Sequence, residues 1–187
     1  IDLDAENRKI SIHGVVKLVG CEFEIIYDRI QAMTYAAMAY LYKTNLTITN
    51  INTIDTSNII EPLEKLTNAG AKWKYNQTKK EIVFYGKESS LKGIDIIAAP
   101  FPHFPTDLQP VYAIMLLMAD SSSTIQDTVY PERIQYVSQI RKIGFDLSIG
   151  NNLIKINPIE KLINMRPAVM SVKDLRAGMA CLMAGSL

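Results

Sequence analysis

The sequence has 187 residues, 48% of them hydrophobic, which is enough for a substantial core and too many for a disordered tail. Twenty Lys and Arg against nineteen Asp and Glu leave a formal charge of +1, excluding a global attraction for nucleic acid or for an anionic membrane. Two cysteines cannot build a disulfide framework, and the longest apolar run, residues 111–119, is too short to span a bilayer.

Taken in chain order, the elements repeat. No secretory signal opens the chain, which does not begin with Met, and both ends are expected to be cut. Residues 9–14 read as the last strand of a unit whose start is missing. A strand at 22–26 leads to Asp28, which opens an apolar helix through Leu41. A β-like run at 46–49 and a more polar helix at 60–66 follow, the helix stopped by Gly70. Strands at 71–75 and 81–85 then flank a polar turn. The pattern returns with a strand at 94–98, a helix opened by Asp107, a run at 123–126 and a polar helix at 134–140 stopped by Gly144. Strands at 145–149 and 153–156 flank Asn151-Asn152. A third copy begins with a strand at 168–172 and a helix opened by Asp174.

The unit is βαβαββ, at about 15–86 and 87–157, with a truncated third at 158–187, all within a single domain. The helices opened by Asp are apolar nearly all round, a pattern suited to burial on every side, whereas the second helices carry charge on one face. The fold class expected is α/β (α+β), with helices at the centre and sheets outside.

The densest chemistry lies in Pro102-His103-Phe104-Pro105-Thr106-Asp107-Leu108-Gln109-Pro110. Thr106-x-x-Gln109 fits a capping box, with Asp107 favoured by the helix dipole and Pro110 tolerated in the first turn. The same residues fit a carboxylate held at a helix start beside a Pro-stiffened loop, poised to take a proton from a substrate hydroxyl. Elsewhere no Cys/His cluster suggests a metal, and no cofactor is expected. Cys21 and Cys181 are each expected in the core. His13, Trp73 and the basic hairpin Lys72, Lys74, Lys79 and Lys80 are expected to be structural or solvated.

The run Phe104-Pro105-Thr106-Asp107-Leu108-Gln109 resembles the FPTD-[LM]-Q signature of the UDP-N-acetylglucosamine enolpyruvyl transferases (UDP-N-acetylglucosamine 1-carboxyvinyltransferases). Three further segments resemble that family in the right order: Asp28-Arg29-Ile30 with Thr34, Thr128-Val129-Tyr130 with Arg133, and Asp174-Leu175-Arg176-Ala177. The likeness extends from about Ile10 onward. It implies an inside-out α/β barrel of βαβαββ repeats with buried helices, in a cytoplasmic enzyme. That enzyme moves enolpyruvyl from phosphoenolpyruvate to the 3′-hydroxyl of UDP-N-acetylglucosamine, the first committed step of peptidoglycan synthesis.

By motif match, Asp107 is the carboxylate that binds and deprotonates the attacking hydroxyl, and the Val129 backbone contacts the nucleotide sugar. Thr106, Arg133 and Arg176 flank the site. His103, Gln31 and Pro131-Glu132 depart from the family pattern. The family's mobile Cys loop, its Lys-Asn pair and its late phosphoenolpyruvate-binding Arg have no counterpart here. The chain alone is therefore expected to be inactive, with the other domain of the same enzyme as its partner. The alternatives are a non-catalytic nucleotide-sugar-binding relative, or the shikimate-pathway enolpyruvyl transferase, against which the FPTD-L-Q run speaks.

Overall fold

A computed structural model describes the chain except for residues 5, 8, 53–58 and 160–164. It is a mixed α/β structure. A short hairpin, β1 (Asp2–Asp4) with β2 (Lys9–Ser11), is antiparallel and exposed. A three-stranded sheet has the order β3 (Asn45–Thr49), β5 (Glu81–Tyr85), β4 (Trp73–Asn76), all antiparallel. A four-stranded sheet has the order β6 (Asp95–Ala98), β7 (Ser123–Asp127), β9 (Leu153–Ile156), β8 (Leu147–Gly150). Within it β6 and β7 are parallel, in register from Asp95 opposite Thr124 to Ala98 opposite Asp127.

Three apolar helices lie together. The middle one, α3 (Gln109–Met115), buries all seven of its residues and sits against α1 (Arg29–Leu41) and α5 (Leu175–Gly185). A seven-residue helix is unstable alone in water, so tertiary burial rather than propensity holds α3. Its polar groups reach out where they can: the Tyr112 hydroxyl donates to the Pro62 carbonyl at 3.1 Å, and the Phe104 ring meets Tyr112 edge-on at 4.9 Å. The two helices with a charged face, α2 (Ile60–Asn68) and α4 (Gln135–Lys142), bury one side only. Gly70 and Gly144 follow them at φ of 79° and 108°, a left-handed helix exit that a side chain would strain. Asn151 and Asn152, both at positive φ, make the tight turn between β8 and β9.

Several expectations need correction. Residues 22–26 and 168–172 form no strand. A parallel strand needs a neighbour's edge: β6 has that of β7, whereas among the described residues 22–26 pair with no strand and leave the edge of β3 free. That segment is exposed, with Phe23 and Ile25 each 81% accessible. Cys21 is consequently exposed rather than in the core, and only Cys181 is buried. Burial pushes the Cys181 thiol pKa up. Residues 160–164 of the expected third unit lie outside the described residues. Among the described residues no helix is long and apolar enough to cross a membrane.

Candidate functional site

The parallel pair β6 and β7 ends at one level, and the chain leaves both strands on the same side. Ala98 at the end of β6 accepts from the Thr128 backbone N–H at 2.9 Å and from its hydroxyl at 2.7 Å. This pins the segment after β7 against the Pro-rich loop after β6. That loop closes on itself through Ala99 N–H donating to the Phe104 carbonyl at 3.1 Å. The C-terminal ends of adjacent parallel strands are a common place for ligand sites, because loops there can converge without disturbing the sheet.

The loop delivers Thr106 and Asp107 on a 3₁₀ turn, Thr106–Leu108, that runs into α3. The capping box is not made: no side chain caps either the turn or α3. The Thr106 hydroxyl instead donates to Asp127 Oδ2 at 2.5 Å, and its oxygen accepts from Arg133 Nη1 at 3.0 Å rather than from the backbone of its own helix. Gln109 is wholly buried, with its side-chain amide beside the Tyr136 hydroxyl. Tyr136, whose phenol pKa burial pushes well up, lies close by. Asp28 and Asp174, by contrast, do cap their helices. Asp28 accepts from the Ile30 and Gln31 backbone at 2.8 and 3.1 Å, and Asp174 from Ala177 at 2.8 Å. Of the three aspartates that look alike in sequence, Asp107 is the one whose oxygens turn away from its helix.

Those oxygens meet two guanidinium groups. Arg133 Nη1 donates to Asp107 Oδ1 at 2.7 Å and to Thr106 Oγ1 at 3.0 Å, and Arg176 Nη2 donates to Asp107 Oδ2 at 3.2 Å. Arg133 also faces Asp174 at 3.6 Å and stacks 5.1 Å over the Tyr130 ring. Its side chain is only 12% exposed, against 34% for Asp107 and 29% for Arg176. Arg133 is thus the fixed centre of the cluster, and Arg176 reaches in from α5 through a longer contact.

Thr106, Asp107, Arg133 and Arg176, all singled out from the sequence, come together within hydrogen-bonding distance. Val129 joins through its backbone N–H, which donates to Asp127 Oδ1 at 3.0 Å. Asp127, Asp174 and Tyr130 also touch the cluster; Asp174 and Tyr130 stand in the family-like segments of the sequence, whereas Asp127 stands in none. For Asp127 the available signal was an Asp closing a strand just before a turn, where its side chain can accept from backbone two or three residues on.

A cleft of about 190 Å³ opens beside the cluster, lined among others by Arg29, Phe101, His103, Thr106, Asp107 and Val129. His103 stands at its rim, 3.4 Å from Glu61. A second cleft of about 300 Å³ lies on the far side of Arg133, beside Tyr130, Lys173 and Asp174. Sites that enclose a drug-sized ligand measure roughly 300–1,000 Å³, so the first cleft by itself is too small to enclose a ligand of that size.

Three buried apolar helices thus lie together, and a carboxylate and two arginines gather at the end of a parallel strand pair. The whole chain, residues 1–187, matches the family described as EPSP synthase (3-phosphoshikimate 1-carboxyvinyltransferase), and it belongs to that family.

Within the family it is similar to proteins named UDP-N-acetylglucosamine 1-carboxyvinyltransferase. The chain is 36% identical over 94% of its length to one from Streptococcus pyogenes serotype M18, there numbered 2, and 34% identical over 97% to one from Thermotoga maritima. It spans 40% and 41% of those proteins' lengths. Among solved structures, the fold is similar to the enolpyruvyl transferase NikO from Streptomyces tendae. That match has a TM-score of 0.71 and 17% identity, over 86% of this chain and 36% of that one. EPSP synthase from Acinetobacter baumannii aligns with a TM-score of 0.51 and 17% identity, over 71% of this chain and 30% of that one.

Proposed function

We propose that the chain supplies the base-bearing part of an enzyme that transfers enolpyruvyl from phosphoenolpyruvate to the 3′-hydroxyl of UDP-N-acetylglucosamine. The observation that carries this reading is the Asp107 carboxylate. It turns away from its helix, lies partly exposed at a cleft and is oriented by Arg133 from a less accessible position. A sugar hydroxyl is a poor nucleophile until a base removes its proton. Asp107 takes that proton as the oxygen bonds to C2 of phosphoenolpyruvate and an acid from the other domain protonates the methylene carbon; phosphate then leaves C2 and that carbon gives up a proton, which restores the double bond.

The two arginines divide the work by burial. Arg133, 12% exposed, cannot move without stranding its charge, so it stays as the partner that sets the carboxylate's orientation. Arg176, more exposed and at 3.2 Å, is free to exchange Asp107 for the phosphate or carboxylate of phosphoenolpyruvate. With its N–H committed to Asp127, Val129 offers its carbonyl to the nucleotide sugar. Thr106, held by Asp127, flanks the sugar from the other side.

On this reading α1, α3 and α5 are the interior of an inside-out barrel, residues 1–187 form one domain of βαβαββ units, and the other domain of the same enzyme closes the cleft. The process served is peptidoglycan synthesis in the cytoplasm, and through it cell-wall growth, cell shape and division, with no cofactor. The test is phosphate release from phosphoenolpyruvate by the full-length reading frame that carries this chain. UDP-N-acetylglucosamine should support release and 3-phosphoshikimate should not. The opposite preference would assign the shikimate-pathway reaction, and release with neither would favour a binding relative without chemistry.

A further inference from the structure

We propose that Asp127 is the positioning residue of this site. It couples the Val129 backbone to the Asp107 carboxylate through Thr106 and Arg133, a proposal that rests on Asp107 being the base. Asp127 closes β7 and is 4% exposed. A carboxylate taken that far from water is costly unless its lone pairs are filled, and here they are. Oδ1 accepts from the Val129 and Tyr130 backbone at 3.0 and 2.8 Å, and Oδ2 accepts from the Thr106 hydroxyl at 2.5 Å. Asp127 is not among the residues lining the cleft, so it acts through others.

The direction of these bonds matters. Because the Thr106 proton goes to Asp127, the Thr106 oxygen presents lone pairs to Arg133 Nη1 at 3.0 Å, and the same nitrogen donates to Asp107 at 2.7 Å. The other product of Asp127 is the bend at Val129 and Tyr130. That bend lays the Tyr130 ring 5.1 Å from the Arg133 guanidinium carbon. One buried carboxylate therefore sets two of the contacts that orient Arg133, and Arg133 orients Asp107.

An amide at position 127 would keep half of this. Its oxygen can still accept from the Val129 and Tyr130 backbone, but its NH₂ would donate to Thr106. The Thr106 proton would then be pushed toward Arg133 Nη1, setting donor against donor. Asp127→Asn thus separates the bend from the relay.

The experiment uses the full-length protein and compares wild type, Asp127→Asn, Thr106→Val and the double variant. It reads kcat, KM for UDP-N-acetylglucosamine, melting temperature and nitrogen-15 signals of the Val129 and Tyr130 amides and the Arg133 side chain. Asp127→Asn should lower kcat by about 10- to 100-fold, the scale of an ångström-sized misplacement, with KM changed less than about threefold. Its Val129 and Tyr130 amide signals should stay near their wild-type positions while those of Arg133 move. The double variant should lose no more than the worse single one, because both break the same relay. Independent, multiplying losses would overturn the proposal, as would a kcat within about twofold of wild type or a loss explained by melting. If the wild type does not use UDP-N-acetylglucosamine, the base assignment fails on its own. The Arg133 signals then decide the coupling, and their standing unmoved in Asp127→Asn refutes it.

Discussion

Replacing Asp107 with Asn keeps the side chain's shape and removes its charge and one acceptor. Two charge-assisted hydrogen bonds are lost or weakened, from Arg133 at 2.7 Å and Arg176 at 3.2 Å. Such bonds are worth about 1.5–3 kcal/mol each, but neither loss is complete. Arg133 retains Thr106 at 3.0 Å and Asp174 at 3.6 Å, and Arg176 is exposed enough for water to replace its partner. The net cost should be about 1–2 kcal/mol, a fall in melting temperature of about 2–8 °C for a domain of this size. Turnover should drop about 10²–10⁴-fold, the usual contribution of a general base, so the effect on rate far exceeds the effect on folding. The assay is phosphate release by the full-length protein, with melting temperature measured alongside. Asp28→Asn is the control. Asp28 caps α1, Asn caps about as well, and both readouts should stay near wild type. Turnover of Asp107→Asn within about tenfold of wild type would refute the assignment, as would a loss that simply tracks unfolding.

Three further outcomes are expected. The 187-residue chain alone should release no phosphate from phosphoenolpyruvate with UDP-N-acetylglucosamine present, since no residue in it matches the family's Cys loop; enzyme-dependent release would contradict this. Cys21 should react promptly with a thiol reagent in the native chain, whereas Cys181, buried and with its thiol pKa pushed up, should react only on unfolding; equal rates would be inconsistent with the fold. Gly86→Ala should destabilise by about 1–3 kcal/mol or more, because its new methyl would collide with the Ala39 and Thr44 carbonyls. Gly150→Ala, with nothing within 4 Å of the new atom, should change stability far less in the same denaturant titration.

Much of the local structure could be read from residue order alone. Apolar runs with an Asp in front gave the starts of α1 and α5 to the residue, and Gly70 and Gly144 end α2 and α4 at the positive φ that only glycine adopts freely. The tight turn at Asn151-Asn152 was legible for the same reason. These features depend on a residue and its near neighbours, so sequence suffices. Thr106, Asp107, Arg133 and Arg176 could be named as a group because they sit in recognisable runs, though nothing in those runs says which atom meets which.

Tertiary structure decided what depends on a distant partner. Residues 22–26 and 94–98 look alike as strands, yet only the latter pairs, because β7 offers it an edge. Thr106 and Gln109 spell a capping box, but the end of β7 brings a buried carboxylate within 2.5 Å of the Thr106 hydroxyl, which turns to it. The same crossing separates Asp107 from Asp28 and Asp174. All three open apolar helices in the sequence, and two satisfy their own helix ends. Asp107 lies where guanidiniums from the segment after β7 and from α5 converge on it. Attraction between full charges at 2.7 Å and 3.2 Å then outweighs a cap to neutral backbone, and a helix-start residue becomes the meeting point of two arginines.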